Sequence, residues 1–230
     1  MQRTMMVSVW EPLLERLKKK LDSACLRRDQ YLDRVLSWES QALLTDVPRS
    51  NSNEARAYIA KSLGLLPRKP VNFKLGATTI EQLNAACAAR NVPRDAFVNR
   101  ILLFLVAKDA LFKKLIEIDW DWAREQVMDK GDIQEFGWGM LNGSLSAVSD
   151  IVSSDPFWFV RRCMEMDHGS ESYQGLHDVR IPKNVLGELA ESAIGFNCYL
   201  HDVQIEGGRS RNAVDSSSNL LDELLGETTK

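Results

Sequence analysis

Residues 6–38, MVSVWEPLLERLKKKLDSACLRRDQYLDRVLSW, lie over residues 72–104, NFKLGATTIEQLNAACAARNVPRDAFVNRILLF, at a constant offset of 66 with no gap. Identities fall at Glu15/Glu81, Leu17/Leu83, Arg28/Arg94, Asp29/Asp95, Arg34/Arg100 and Leu36/Leu102. The coincidence of apolar positions is stronger: Val7/Phe73, Val9/Leu75, Leu14/Ile80, Leu17/Leu83, Leu21/Cys87, Leu26/Val92, Tyr31/Phe97, Leu32/Val98, Val35/Ile101 and Trp38/Phe104. A fixed period of this kind marks one supersecondary unit used twice.

The spacing of those positions changes along each copy. Met5, Val7 and Val9, like Val71, Phe73 and Leu75, alternate as in a strand with one buried face, predicting strands of about five residues. The period then lengthens to three and four (Leu14, Leu17, Leu21; Ile80, Leu83, Cys87), the spacing of an amphipathic helix. Pro12 suits a first helical turn, and Thr78 to Glu81 has capping-box spacing. After breaks at Ala24-Cys25 and Arg90-Asn91, a second helix carries Tyr31, Leu32, Val35 and Leu36, or Phe97, Val98, Ile101 and Leu102. Each copy therefore reads strand, helix, turn, helix.

One short strand cannot satisfy its own backbone groups, so two copies are expected to pair into an antiparallel ribbon. Val7, Val9, Phe73 and Leu75 would face the helices, leaving Thr4, Met6, Ser8, Asn72 and Lys74 outside. A two-stranded ribbon fits the major groove of DNA, where Asn pairs with adenine and Lys with guanine.

Both copies resemble the ribbon-helix-helix superfamily of DNA-binding proteins, which includes the Arc, MetJ and CopG repressors. The resemblance rests on Val7-Ser8-Val9 and Phe73-Lys74-Leu75, and on the second-helix openings Leu26-Arg27-Arg28-Asp29-Gln30-Tyr31-Leu32 and Val92-Pro93-Arg94-Asp95-Ala96-Phe97-Val98. It implies that outward strand residues read bases: Ser8, Asn72 and Lys74 first, with Met6 and Arg3 as lesser candidates. It also implies that the second helices dock their N-termini on phosphate, with Arg27, Arg28 and Arg94 as clamps. Family members often place Ser or Thr before the basic residue at that helix start; this chain has Arg27 and Pro93, and Pro93 supplies no amide proton. The tandem arrangement resembles TraY-type proteins of conjugative plasmids. Different residues on the two strands imply a non-palindromic subsite for each chain.

The charge distribution agrees with a basic DNA-binding module. Residues 1–114 hold 20 Lys+Arg against 11 Asp+Glu (+9), whereas residues 115–230 hold 9 against 21 (−12), and together they give the net −3. Such asymmetry suggests that the basic half meets a polyanion. The longest apolar stretch, Ile101 to Ala107, is far short of the roughly 18 residues of a membrane span. With no leader-like start and four scattered cysteines, a cytoplasmic, nucleoid-associated protein is expected, with no membrane partner.

The expected fold is mainly α: two ribbon-helix-helix repeats, 1–40 and 71–106, joined by a connector, 41–70, with a short helix at Asn53 to Leu63. An α-rich or α+β acidic domain would span 107–206, and a flexible tail 207–230. Within the acidic domain, Ala107 to Met128 reads as one helix, Phe157 to Val160 as a mixed segment, and Lys183 to Ala193 as a helix. The tryptophans Trp120, Trp122, Trp138 and Trp158 read as core or interface. The chain carries no phosphate loop, nucleophile elbow or HExxH pattern, so no catalytic role and no cofactor is expected. Cys163, His168, Cys198 and His201 have zinc-compatible residue types at loose spacing, and read first as buried thiols with surface histidines.

The sequence thus predicts sequence-specific binding of double-stranded DNA by a homo-oligomeric transcriptional repressor or regulator. The alternative is an antitoxin-like or nucleoprotein-assembly protein, a conjugation or plasmid accessory whose C-terminal half binds a protein partner. Because the acidic half opposes the phosphate backbone, segment 1–114 alone is expected to bind non-specific DNA more tightly than the whole chain.

Overall fold

A computed structural model describes residues 1–116, 118–129, 155–168 and 175–200. The described chain is mainly helical, with one two-stranded antiparallel sheet. Strand β1 (Gln2–Trp10) leads into α1 (Glu11–Ser23) and α2 (Arg28–Asp46). Helix α3 (Asn53–Leu63) is followed by β2 (Arg68–Gly76), α4 (Ala77–Ala89) and α5 (Arg94–Val106). The starts of all three repeated elements, and the ends of the strands and first helices, differ by 66, the offset of the sequence repeat. Each strand has nine residues rather than five, because pairing continues past the alternating apolar core of each.

The turns inside the two copies also match. Leu26 N donates to Leu21 O (3.0 Å) and Cys25 N to Asp22 O (3.2 Å); Val92 N donates to Cys87 O (2.8 Å) and Asn91 N to Ala88 O (3.1 Å). These bonds form a Schellman cap at the end of α1 and of α4. The cap requires a left-handed residue, supplied by Cys25 (φ 56°) and Asn91 (φ 50°). Asn tolerates that conformation, whereas Cys adopts it at a steric cost.

One difference from the expected boundaries has a tertiary cause. Helix α2 runs to Asp46 and so takes the first residues assigned to the connector, because Leu43, Glu39 and Ser40 are buried against later parts of the chain. The connector helix α3 has the expected bounds, and the Ser52 side chain caps it by accepting from Ala55 N (3.1 Å).

Beyond α5 the expected single helix is two, α6 (Asp109–Leu115) and α7 (Trp120–Asp129). The Phe157 region continues into α8 (Trp158–His168). The expected helix at Lys183 is a 3-10 segment, Lys183–Leu189, continued by α9 (Ala190–Ala193) and a 3-10 turn, Ile194–Phe196. No strand occurs among the described residues of this half. Trp120 is buried and Trp158 partly buried, whereas Trp122 is exposed; Trp138 and the 207–230 tail lie outside the described residues.

The two halves share a core. Buried apolar residues from Met5 to Leu200 form one continuous core. A Cβ on Gly195 would come within 2.5 Å of the Leu63 backbone, and one on Gly175 within 2.4 Å of Asp46, so the C-terminal turns rest directly on α3 and α2. Cutting the chain at 114 would remove the Leu176, Val179 and Phe196 carbonyls that hold Arg100 of α5. No helix among the described residues is long and apolar enough to cross a membrane.

Candidate nucleic-acid interface

The ribbon forms within one chain. Its register runs from Gln2↔Gly76 to Trp10↔Arg68 and pairs Met6 with Asn72. These two residues are also equivalent in the repeat, so a pseudo-twofold axis passes between them. Alternation buries Met5, Val7, Val9, Phe73 and Leu75, with Val71 half-buried. The opposite parity presents Thr4, Met6 and Ser8 against Lys74, Asn72 and Pro70. Thr4, Met6, Asn72 and Lys74 are exposed and Ser8 is half-exposed. Four of the five residues proposed to read bases therefore share one face. Arg3 has the inward parity, and its guanidinium meets Glu81 at 3.3 Å on the helix side.

Each strand's outer edge is closed by the second helix of the other copy. Along β2, Asp29 accepts from Lys74 N (3.2 Å) and Asp33 from Gly76 N (2.6 Å). Along β1, Asp95 accepts from Ser8 N (3.1 Å) and Asn99 from Trp10 N (2.9 Å). Asn99 also donates to Ser8 O (2.9 Å), so the Ser8–Pro70 pair exchanges no ladder bonds and the missing proline N–H costs nothing there. Unpaired strand edges invite wrong pairing, and this exchange covers part of each.

The arginines follow the same symmetry. Arg28 donates to Asn72 O (3.0 Å) and Arg94 to Met6 O (2.8 Å), so both guanidiniums converge on the ribbon's centre. Arg28 also pairs with Asp29 at 2.7 Å and lies 5.0 Å from the Phe73 ring centroid. Both arginine side chains stay partly exposed, at 41% and 36%, with further N–H donors available. Arg27 and Pro93 are the N-caps of α2 and α5, without a capping side-chain hydrogen bond. The outer ribbon face is thus flanked on both sides by a helix N-terminus and a cation, the combination that attracts phosphate.

Sequence reading missed Asp29, Asp33, Asp95 and Asn99 as the groups that set this geometry. The Asp29/Asp95 identity was the available signal.

On the far side of α2 and α5, C-terminal residues grip the repeats through buried polar groups. Arg100, fully buried, donates to Phe196 O (3.0 Å), Leu176 O (2.7 Å) and Val179 O (2.7 Å), and stacks 4.5 Å from the Phe104 centroid. Glu39, equally buried, meets His177 Nε2 (2.7 Å) and Arg161 (2.7 Å), and Arg161 also reaches Asp155 (2.6 Å). Asp46 accepts from His177 N (3.0 Å). Burial drives the His177 imidazole below its ordinary range, keeping it neutral with Nε2–H donated to Glu39. Burial opposes the charge on Glu39, but His177 and Arg161 overcome it and hold the carboxyl below its usual range.

The zinc candidates are not assembled into a site within the described structure. Cys163 and Cys198 are buried free thiols, and burial pushes Cys198 up to about 12, so it stays protonated. His168 closes α8 and His201 lies outside the described residues. Among the described residues, no group of three or more His, Cys, Asp or Glu could hold a metal ion. No protein-family model, curated protein or solved structure matches this chain.

Proposed function

We propose that the ribbon binds double-stranded DNA sequence-specifically in the major groove, and that the protein acts as a transcriptional regulator in the cytoplasm. The observation that carries this reading is one exposed face of Thr4, Met6, Ser8, Pro70, Asn72 and Lys74, flanked by Arg28 and Arg94 at two symmetry-related helix N-termini. Lys74 and Asn72 supply donors and an acceptor for purine edges, Ser8 and Thr4 supply hydroxyls, and Met6 supplies an apolar contact for a thymine methyl. Arg27, Arg28 and Arg94 take phosphates and set the register without reading sequence. Arg3, turned toward Glu81, is left out of the reading set.

The ribbon has a built-in polarity, because Ser8, Met6 and Thr4 stand where the other strand has Lys74, Asn72 and Pro70. A single chain therefore reads a non-palindromic subsite. Two variants in the full chain separate the roles. Lys74→Ala loses about 1–3 kcal/mol of discrimination between preferred and scrambled DNA, with little change on random sequence. Arg28→Ala weakens both about equally and flattens the salt slope by about one. Equal loss on specific and random DNA for Lys74→Ala contradicts the base-reading role.

A further inference from the structure

The pseudo-twofold relates two helix faces that have met different fates. On α5, Ala96, Arg100 and Phe104 are buried beneath Leu176, Val179 and Phe196. The equivalent stripe on α2, Gln30, Arg34 and Trp38, continues through Gln41 to Thr45, and all five residues are exposed. Trp38, 43% exposed, is the one large apolar side chain of this stripe.

The stripe lies in a groove. At one end a hollow of about 340 Å³ is lined by Gln30, Asp33, Arg34, Ser37, Trp38 and Thr79 of α4. At the other, one of about 310 Å³ is lined by Trp38, Thr45, Asp46, Asp155, Arg161 and Glu165 of α8. Trp38 and Gln41 belong to both. The two ends differ in charge. Arg34 has no ion-pair partner among the described residues and shares its hollow with Asp33, whose carboxylate accepts from Gly76 N, whereas Asp46, Asp155 and Glu165 outnumber Arg161 at the far end.

We infer that this groove is the contact between two copies of the chain, packed antiparallel about a twofold axis at Trp38. A twofold contact uses one patch twice, so the patch must complement itself. Antiparallel α2 helices crossing at position 38 place Arg34 of each copy against the 42–46 end of the other. The lone cation then meets the anionic rim twice, while the two indoles cover one another. The same arginine-plus-aromatic pair, four residues apart, already holds polypeptide on α5. A twofold pair also carries two ribbons in inverted orientation; that consequence rests on the DNA reading, whereas the mass measurement below needs no DNA and can fail independently of it.

The test is the mass of the full chain by light scattering across a concentration series, with melting temperature as a fold control. Twice the 26.0 kDa chain mass is expected. Trp38→Asp raises the dimer dissociation constant about 30-fold or more, because buried Trp and Arg carry most of such interfaces. Arg34→Glu and Glu165→Arg each raise it about tenfold, and the double variant returns to within about threefold of the original, the signature of a pair exchanged across the interface. Melting temperatures compared at concentrations below the original dissociation constant, where every variant is a monomer, stay within a few degrees of one another, since these side chains are outside the monomer core. A monomer at every concentration, or a dimer unaffected by Trp38→Asp and Arg34→Glu, overturns the proposal and leaves the face to the chain's own C-terminal residues or to a different protein.

Discussion

Helices α2 and α5 begin at the same point of the repeat and close the ribbon's two edges with equivalent bonds, yet one carries its outer stripe in solvent and the other beneath the C-terminal half. The contrast teaches what duplication leaves free to change. The inner surfaces build one ribbon together, so their chemistry is held in step: Arg28 with Arg94, Asp29 with Asp95, and Asp33 with Asn99. The outer surfaces are under no such constraint, and Arg34 and Arg100 have become opposites in environment.

The sharpest way to break this comparison is to make the same substitution on both helices. Arg100→Ala leaves three buried carbonyls without their donor and opens a cavity, at a cost of about 3 kcal/mol or more. Arg34→Ala, at the matched and exposed position, changes monomer stability by no more than about 0.5 kcal/mol. Urea denaturation of the two variants checks both. Equal effects would mean that the C-terminal cover of α5 contributes little.

A second contrast lies in position 39, where α2 has buried Glu39 and α5 has Leu105. His177 beside it resists protonation in the fold but takes a proton in the unfolded chain near its ordinary value of 6.5. Stability is therefore complete above that pH and falls as pH drops below it, by no more than about 1.4 kcal/mol per unit for one proton. Glu39, with its folded value lowered from 4.5, adds a loss of the same sign at lower pH. Denaturation midpoints measured from pH 7 to 5 should fall in the native chain and flatten in His177→Gln. A flat native profile would show that burial does not hold His177 neutral.

The smallest expected effect separates the two Schellman turns. Cys25→Gly relieves a left-handed cysteine and stabilises by about 0.5–1 kcal/mol, whereas Asn91→Gly destabilises by about 0.5–1 kcal/mol, because the Asn91 amide donates to Asn51 O and Asn53 Oδ1. Thermal melts of the pair decide it.

The repeated elements were legible because an alternating strand and a period-3.6 helix each leave a local pattern, and the two copies corroborate one another. The outer parity of Thr4, Met6, Ser8, Asn72 and Lys74 followed from that alternation alone, whereas Arg3, expected among the base readers, has the inward parity. The length of α2 did not follow, because Glu39 and Ser40 look like solvent-facing residues until Arg161 and His177, 122 and 138 positions away, arrive beside Glu39. Arg100 was hidden for the same reason: its three acceptors are main-chain carbonyls, which no side-chain pattern encodes. The break between α6 and α7 is hidden in the sequence because Ile116 and Ile118 continue the apolar pattern there, although neither is helical.

The central claim, that one chain carries a complete and polar DNA-reading ribbon, is tested most directly by selecting binding sites from random double-stranded DNA with the full chain and footprinting the winner. The expected result is an enriched subsite that is not its own inverted repeat, with protection centred on it and lost preference on one side only when Lys74 is replaced by Ala. No enrichment over random DNA, or a subsite palindromic about its own centre, would contradict it.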